Sequence, residues 1–166
     1  FAENMGTVVY FDSLYKNAVR VSKDRFVNRD GVWFQVKETD RILDRYCKGN
    51  YLPLSDIKDF GIFPEASHPW NIFLLEQYVA SYSERYYIMH GGYNRKVVAG
   101  AMIKREQAYS DFDDFITDVL AHGDVNLKKK EALNYLADNG FIARRSYTNI
   151  ESLMINARAR RNMKEK

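Results

Sequence analysis

Residues 69–105 read PWNIFLLEQYVASYSERYYIMHGGYNRKVVAGAMIKR, and this stretch decides the fold. Its first half repeats a large apolar residue every fourth position, from Trp70 to Tyr82, with further apolar residues between them. That spacing follows the 3.6-residue period of an α-helix and not the two-residue period of a strand. The pattern therefore predicts a helix over residues 69–84 that is buried on most of its circumference.

The second half of the stretch is rich in β-branched and aromatic residues on either side of a Gly-Gly-Tyr-Asn sequence at residues 91–94. Glycine adopts the positive φ angles that tight turns require. We therefore expect a β-hairpin over residues 86–104, with strands of roughly six residues. Gly100 lies inside the second predicted strand, where it predicts a bulge or the close approach of another backbone.

Two shorter helices are predicted before this stretch. Thr39 is a suitable N-cap for a helix over residues 39–48, and a short helix follows over residues 55–60. Two helices, a long third helix and a hairpin resemble the order of a winged helix-turn-helix. The resemblance covers residues 39–105, although the connector before the third helix is longer than the three to four residues usual for such a turn.

The flanking segments add to this winged-helix-like unit. Residues 1–38 are predicted as a support that contains a strand over residues 7–11, a helix over residues 12–21 and a hairpin. An Asp-Gly turn between apolar runs predicts that hairpin over residues 26–36.

Residues 106–166 are predicted as an appended helical unit with a basic end. Apolar periodicity indicates helices over residues 111–121 and 128–139, and a last helix from residue 150 onwards. The whole chain is therefore predicted to be α+β, with a helical core, β-hairpins and this helical unit. We expect the three units to pack as one or two compact domains.

The composition limits the classes of function. The net charge of +3 comprises −1 over residues 1–90 and +4 over residues 91–166, so a polyanion would be drawn to the C-terminal half. The single cysteine, Cys47, excludes an internal disulfide and a multi-cysteine metal site, which fits the reducing cytoplasm. No apolar run reaches membrane-spanning length. Because the sequence starts at Phe1 without a methionine, we expect one domain of a longer protein.

The sequence offers little support for a catalytic reaction or for a cofactor. The three histidines lie in separate predicted elements without the spacing of metal ligands, and neither a glycine-rich phosphate loop nor a nucleophile motif occurs. Asp111, Asp114 and Asp118 share one face of a predicted helix and are the one candidate site for a divalent cation. Acids in a first helical turn equally complement the helix dipole, so this site is a weak candidate.

The basic residues favour a non-catalytic nucleic-acid-binding domain, more specifically a DNA-binding one, with RNA as the other ligand. Lysine and arginine contact phosphates, and neighbouring aromatic rings stack on exposed bases. The predicted contact residues are Tyr93, Arg95, Lys96, Lys104, Arg105, Lys128, Lys129, Arg144, Arg145, Arg158, Arg160 and Arg161. The third helix has no lysine or arginine before Arg85, and Gln77 is its residue suited to reading adenine. We therefore expect the hairpin tip and the C-terminal arginines to lead the contact.

Two other functions stay open. The 12 tyrosines and the weakly charged third helix also suit a protein-interaction or assembly module, which would bind another protein or the rest of a longer chain. A metal-dependent nuclease, with carboxylates gathered from distant positions, is the second alternative.

Overall fold

The computed structural model describes residues 17–165, and within them the fold is α+β, as the sequence predicts. The described residues form two small antiparallel sheets and five α-helices. The strands are β1 (Ala18–Ser22), β2 (Arg25–Asn28), β3 (Tyr51–Pro53), β4 (Tyr86–Met89) and β5 (Ala101–Lys104). The α-helices are α1 (Val36–Tyr46), α2 (Ile72–Ser81), α3 (Phe112–His122), α4 (Lys129–Asp138) and α5 (Ile150–Glu165).

The N-terminal part of the described chain differs from the prediction. The strand expected over residues 7–11 and the start of the next helix lie outside the described residues. The end of that helix is wrong, because residues 18–22 form β1 and pair with β2. The hairpin expected over residues 26–36 is also wrong, since a 3₁₀ turn at Arg29–Gly31 leads the chain away from β2 and into α1.

Tertiary packing explains the extended conformation of β1. Val19 and Val21, both almost fully buried, share a small hydrophobic cluster with Leu74 of α2. An extended chain places both valines on one face, and burial of that face outweighs the local helical pattern. After β2, the Asn28 side chain accepts a hydrogen bond from the Asp30 N–H and caps the 3₁₀ turn.

The hairpin predicted over residues 86–104 is confirmed, with shorter strands. β5 lies between β4 and β3, antiparallel to both, and β4 and β5 each have four residues. The close approach predicted at Gly100 is confirmed too. This glycine has a φ of 132°, and a Cβ atom there would lie 2.6 Å from the His90 Cβ and 2.7 Å from the Met89 carbonyl oxygen. The Gly100 carbonyl oxygen accepts a hydrogen bond from the Leu54 N–H, and the Gly100 N–H donates one to the Gly140 carbonyl oxygen. These two hydrogen bonds connect the start of β5 to two other segments.

The helix boundaries shift where a different residue supplies the cap. Asn71 caps α2 by accepting hydrogen bonds from two N–H groups of the first turn, so this helix starts at Ile72 and not at Pro69. Thr39 lies inside α1, where its hydroxyl donates to the Gln35 carbonyl oxygen. The short helix expected over residues 55–60 is a single 3₁₀ turn at Leu54–Asp56. No helix among the described residues has the length and apolar character needed to cross a bilayer.

The three-stranded sheet lies between two hydrophobic cores. Met102 of β5 belongs to the core formed with α1 and α2, which includes Leu43 and Tyr78. Its neighbours Ala101 and Ile103 belong to the core formed with α3, α4 and α5. Because successive strand residues point to opposite faces, β5 serves both cores. The domain boundaries at residues 38 and 105 stay a prediction.

Candidate functional site

A buried arginine binds the backbone of the loop between β4 and β5, residues 90–100. We call this segment the tip loop. The Arg20 side chain is fully buried, and its guanidinium donates to the carbonyl oxygens of Asn94 at 2.8 Å and of Arg95 at 2.6 Å. The same group lies 4.2 Å from the centroid of the Phe73 ring. These contacts hold the backbone of the tip loop in one position.

Asn94 orders the next turn of the tip loop. Its side-chain oxygen accepts hydrogen bonds from the N–H groups of Lys96 at 2.8 Å and of Val97 at 3.1 Å. Arg95 and Lys96 are exposed, and their side chains form no hydrogen bond or ion pair with any residue that the structure describes. The tip loop therefore presents two cations from an ordered backbone.

A buried acid of α2 lies next to His90, the first residue of the tip loop. Glu76 of α2 is 1% exposed, and its Oε2 lies 3.9 Å from Nδ1 of His90. Burial raises the pKa of Glu76 to about 8, partly offset by the charge of Arg20. Burial also lowers the pKa of His90. Near neutral pH both side chains are therefore mainly uncharged.

The polar face of α2 points into the protein. Gln77 is only 4% exposed, and its side-chain oxygen accepts a hydrogen bond from the Arg20 N–H. The Tyr93 ring lies edge-on to the His90 ring, with the two centroids 4.7 Å apart. Gln77 is consequently inaccessible to a base edge in this arrangement.

A concave groove separates the tip loop from the connection between α4 and α5. We call it the tip groove; its volume is about 300 Å³. The residues that line it include Gly91, Gly92, Tyr93, Phe112, Arg144 and Tyr147. Gly91 packs on the Phe112 ring, because a Cβ atom at Gly91 would lie 3.6 Å from that ring. The groove thus joins two predicted contact residues, Tyr93 and Arg144, that are far apart in the sequence.

The predicted contact residues at the base of the hairpin lie elsewhere. Lys104 and Arg105 are at the end of β5 that points away from the tip loop. They line a separate cavity of about 410 Å³ together with the acids Asp44, Glu84 and Glu106. Carboxylates so close reduce the attraction of this region for a polyanion.

Two of the predicted residues around α4 have acidic partners. Lys129 forms an ion pair with Glu151 at 3.3 Å, and Arg145 pairs with Asp138. Both pairs are exposed, and such surface pairs hold their charges only weakly. Lys128, the residue just before α4, is exposed as well.

The three arginines near the C-terminus bind the protein itself. Arg161 donates hydrogen bonds to four backbone carbonyl groups at the end of α3, at 2.7–3.1 Å. Arg160 pairs with Asp114 at 2.6 Å, and Arg158 donates to the Leu127 carbonyl oxygen at 2.8 Å. A cation at a helix C-terminus also complements the helix dipole. These contacts account for the three arginines without a ligand.

We predict that Arg161→Ala destabilises the protein by about 2–3 kcal/mol, because it removes charge-assisted hydrogen bonds from several carbonyl groups at once. Arg144→Ala is the matched variant and is expected to change the free energy of unfolding by less than about 0.5 kcal/mol. Urea unfolding followed by circular dichroism measures both. Equal effects of the two substitutions would contradict this division between structural and surface arginines.

The candidate metal ligands are occupied by contacts within the protein. Asp111 caps α3 by accepting the Asp114 N–H at 2.8 Å. Hydrogen bonds from the Ser110 backbone and then from Arg160 lower the pKa of Asp114. Asp118 accepts a hydrogen bond from the Tyr109 hydroxyl at 2.8 Å. Among the described residues, no group of three or more histidine, cysteine or acidic side chains is arranged to hold a metal ion.

Arg20 and His90 are the residues of this site that the sequence did not reveal. A lone arginine between two valines was the available signal, because an arginine within an apolar run is often buried with several acceptors. Arg20 contacts the tip loop, which carries the exposed cations, and His90 is its first residue and packs on Tyr93. Comparisons of the chain with protein-family models, with curated proteins and with solved structures returned no match.

Proposed function

We propose that this chain is a non-catalytic nucleic-acid-binding domain that contacts phosphates on both sides of the tip groove. One observation carries the proposal: the exposed Arg144 borders the groove on one side, and the loop with the exposed Arg95 and Lys96 borders it on the other. Lysine and arginine neutralise phosphates and release their counterions, which supplies most of the sequence-independent affinity.

The support beneath the tip loop favours this function. Arg20 and the Asn94 turn hold the backbone that bears Arg95 and Lys96, so little conformational freedom remains to be lost when a ligand binds. A cation presented from an ordered backbone binds more tightly than one on a mobile loop for the same contact. The fold therefore favours ligand contact at this loop.

We further propose that residues 39–105 form a winged-helix-like unit with the tip loop as its wing. Two observations support this: the elements follow in the order α1, β3, α2, β4, β5, and β3 pairs with the edge of β5 that faces away from β4. Leu74 of α2 is covered by Val19 and Val21, and Glu76 and Gln77 of the same helix are buried. We therefore expect the tip loop, and not α2, to make the main contact with the nucleic acid.

We predict that affinity for short DNA and RNA oligonucleotides falls steeply with salt. The combined Arg95→Ala, Lys96→Ala and Arg144→Ala substitutions should weaken binding roughly 10- to 100-fold. They should also make log K fall less steeply with log salt, reducing the magnitude of the slope by about 2–3, because each duplex phosphate contact contributes about 0.9. Fluorescence anisotropy with single- and double-stranded probes at several salt concentrations measures both quantities.

The control for this prediction removes the same charge from another surface. Lys37, Arg45 and Lys48 are exposed on α1 and just after it, and replacing all three by alanine should leave more than half of the affinity. If the two triple variants lose affinity equally, the contact is not at the tip groove. If no probe binds even at low salt, the proposed function is wrong.

A further inference from the structure

The volume of the tip groove suits a small ligand. Its volume of about 300 Å³ lies at the lower end of the roughly 300–1,000 Å³ usual for sites that bind small molecules. A space of this size admits a group such as one nucleobase, and it is too small for a helix or a folded partner. The groove is also open to solvent at its rim, where Arg144 is exposed.

Aromatic side chains form the walls of the groove. Tyr93 lines the groove from the tip loop. Phe112 and Tyr147 line it from other segments, and their ring centroids lie 6.1 Å apart. At the loop side, Gly91 and Gly92 contribute no side chains that would fill the space.

The walls are held in place before any ligand arrives. The Tyr147 hydroxyl donates a hydrogen bond to Asp113 at the start of α3. Tyr93 is held by the edge-on contact of its ring with the His90 ring. Rings fixed in this way can accept a stacking partner without a further ordering cost.

We propose that the tip groove receives one unstacked base of a single-stranded or locally unpaired nucleic acid. This deepens the proposed function and rests on it. Bases within a duplex are stacked on their neighbours, and only an unpaired base can offer its faces to aromatic side chains. The phosphates on either side of that base then contact Arg144 and the cations of the tip loop.

Charge decides between a base and an aromatic side chain of a protein partner. Both are flat, yet only the base arrives with a negative charge on either side of it. The exposed Arg144, Arg95 and Lys96 around the groove match that pattern of charge. Stacking on aromatic residues also accepts every base, so we expect little sequence preference.

The test compares three two-stranded DNA duplexes of the same sequence: one with a single bulged, unpaired nucleotide, one with an abasic site at that bulge, and one fully paired. At one fixed salt concentration, the unpaired base should bind roughly 5- to 100-fold more tightly than the abasic site, the range that one base–aromatic stack contributes. Tyr93→Ala should remove this discrimination and leave the salt dependence of binding unchanged.

A second variant protects the test against an indirect effect of Tyr93→Ala. Ala143 lines the groove and is exposed, so Ala143→Trp should fill the groove without disturbing the fold or the charge. It should reduce the preference for the unpaired base at least fivefold. Ala159→Trp, at an exposed position of α5, is the matched control and should preserve the preference.

The outcomes separate this inference from the proposed function. If the three duplexes bind equally and with a strong salt dependence, the domain binds nucleic acid but the groove does not receive a base. The same conclusion follows if Ala143→Trp leaves the preference unchanged. If no duplex binds at low salt, both proposals are wrong, and binding of an acidic, tyrosine-containing peptide that Ala143→Trp abolishes would assign the groove to a protein partner.

Discussion

Replacing Asp40 with alanine is expected to destabilise the protein by about 4 kcal/mol, because this carboxylate joins α1 to the segment between α2 and β4. Asp40 is 2% exposed. One carboxylate oxygen accepts hydrogen bonds from the hydroxyls of Tyr78 and Ser83, both at 2.7 Å. The other accepts the backbone N–H groups of Glu84 at 3.0 Å and Arg85 at 3.1 Å.

Each of these hydrogen bonds has a charged acceptor, and such bonds contribute roughly 1.5–3 kcal/mol apiece, although not additively. Alanine removes all four and leaves buried donors without their partner. Asp40→Asn keeps the shape and one acceptor oxygen, so its cost should be smaller, about 2 kcal/mol. Urea unfolding measures the free energy of unfolding for each variant.

Asp124→Ala is the control for this prediction, because Asp124 is exposed in the segment after α3. It should change the free energy of unfolding by less than about 0.5 kcal/mol. A loss for Asp40→Ala that is no larger than that of the control would show that the hydrogen bonds around Asp40 do not hold α1 in place.

As the pH rises from 5 to 8, the free energy of unfolding of the wild-type protein is expected to fall by about 4 kcal/mol relative to that of the Glu76→Gln variant. In the folded state the pKa of Glu76 is raised to about 8, compared with 4.5 for an ordinary glutamate. Between these values the unfolded chain has released the proton and the folded protein still holds it. The stabilising effect of the protonated carboxyl is therefore complete below pH 4.5 and is lost as the pH rises to about 8.

The other titratable groups around Glu76 do not obscure this difference. His90 has a lowered pKa and faces Glu76 from the tip loop, and Arg20 faces it from β1. Both are present in the variant and in the wild type, so subtracting the two stability curves isolates Glu76. The measurement is the free energy of unfolding at several pH values between 5 and 9. Glu131→Gln, which replaces a carboxylate at an exposed site, is the matched control.

Parallel stability curves for Glu76→Gln and the wild type would contradict this prediction. They would mean that Glu76 titrates normally in the folded protein and that burial does not control its pKa.

The elements with strong local patterns were predictable from the sequence. The apolar repeat before residue 85 identified α2, and the glycines between two β-rich runs identified the β4–β5 hairpin. The three C-terminal helices were also predicted to within a few residues at their starts. Periodicity and turn residues are properties of neighbouring positions, so no distant contact is needed to read them.

Elements that depend on a distant partner were not predictable. The valines of β1 fit a helix as well as a strand, and only burial against Leu74 decides between the two. For the same reason, the Asp30-Gly31 turn, a strong hairpin signal, forms a 3₁₀ turn when β2 already has β1 as its partner.

The sequence by itself determined the α+β class, the central helix and hairpin, and the cations and the aromatic residue of the tip loop. Only the tertiary structure decided that Arg20 lies beneath this loop, that Arg161 serves α3, and that Tyr93 and Arg144 face one groove. The physical reason is that helix and turn preferences act between neighbours in the chain. The environment of a charged side chain, by contrast, is set by whichever distant segments the folded core brings next to it.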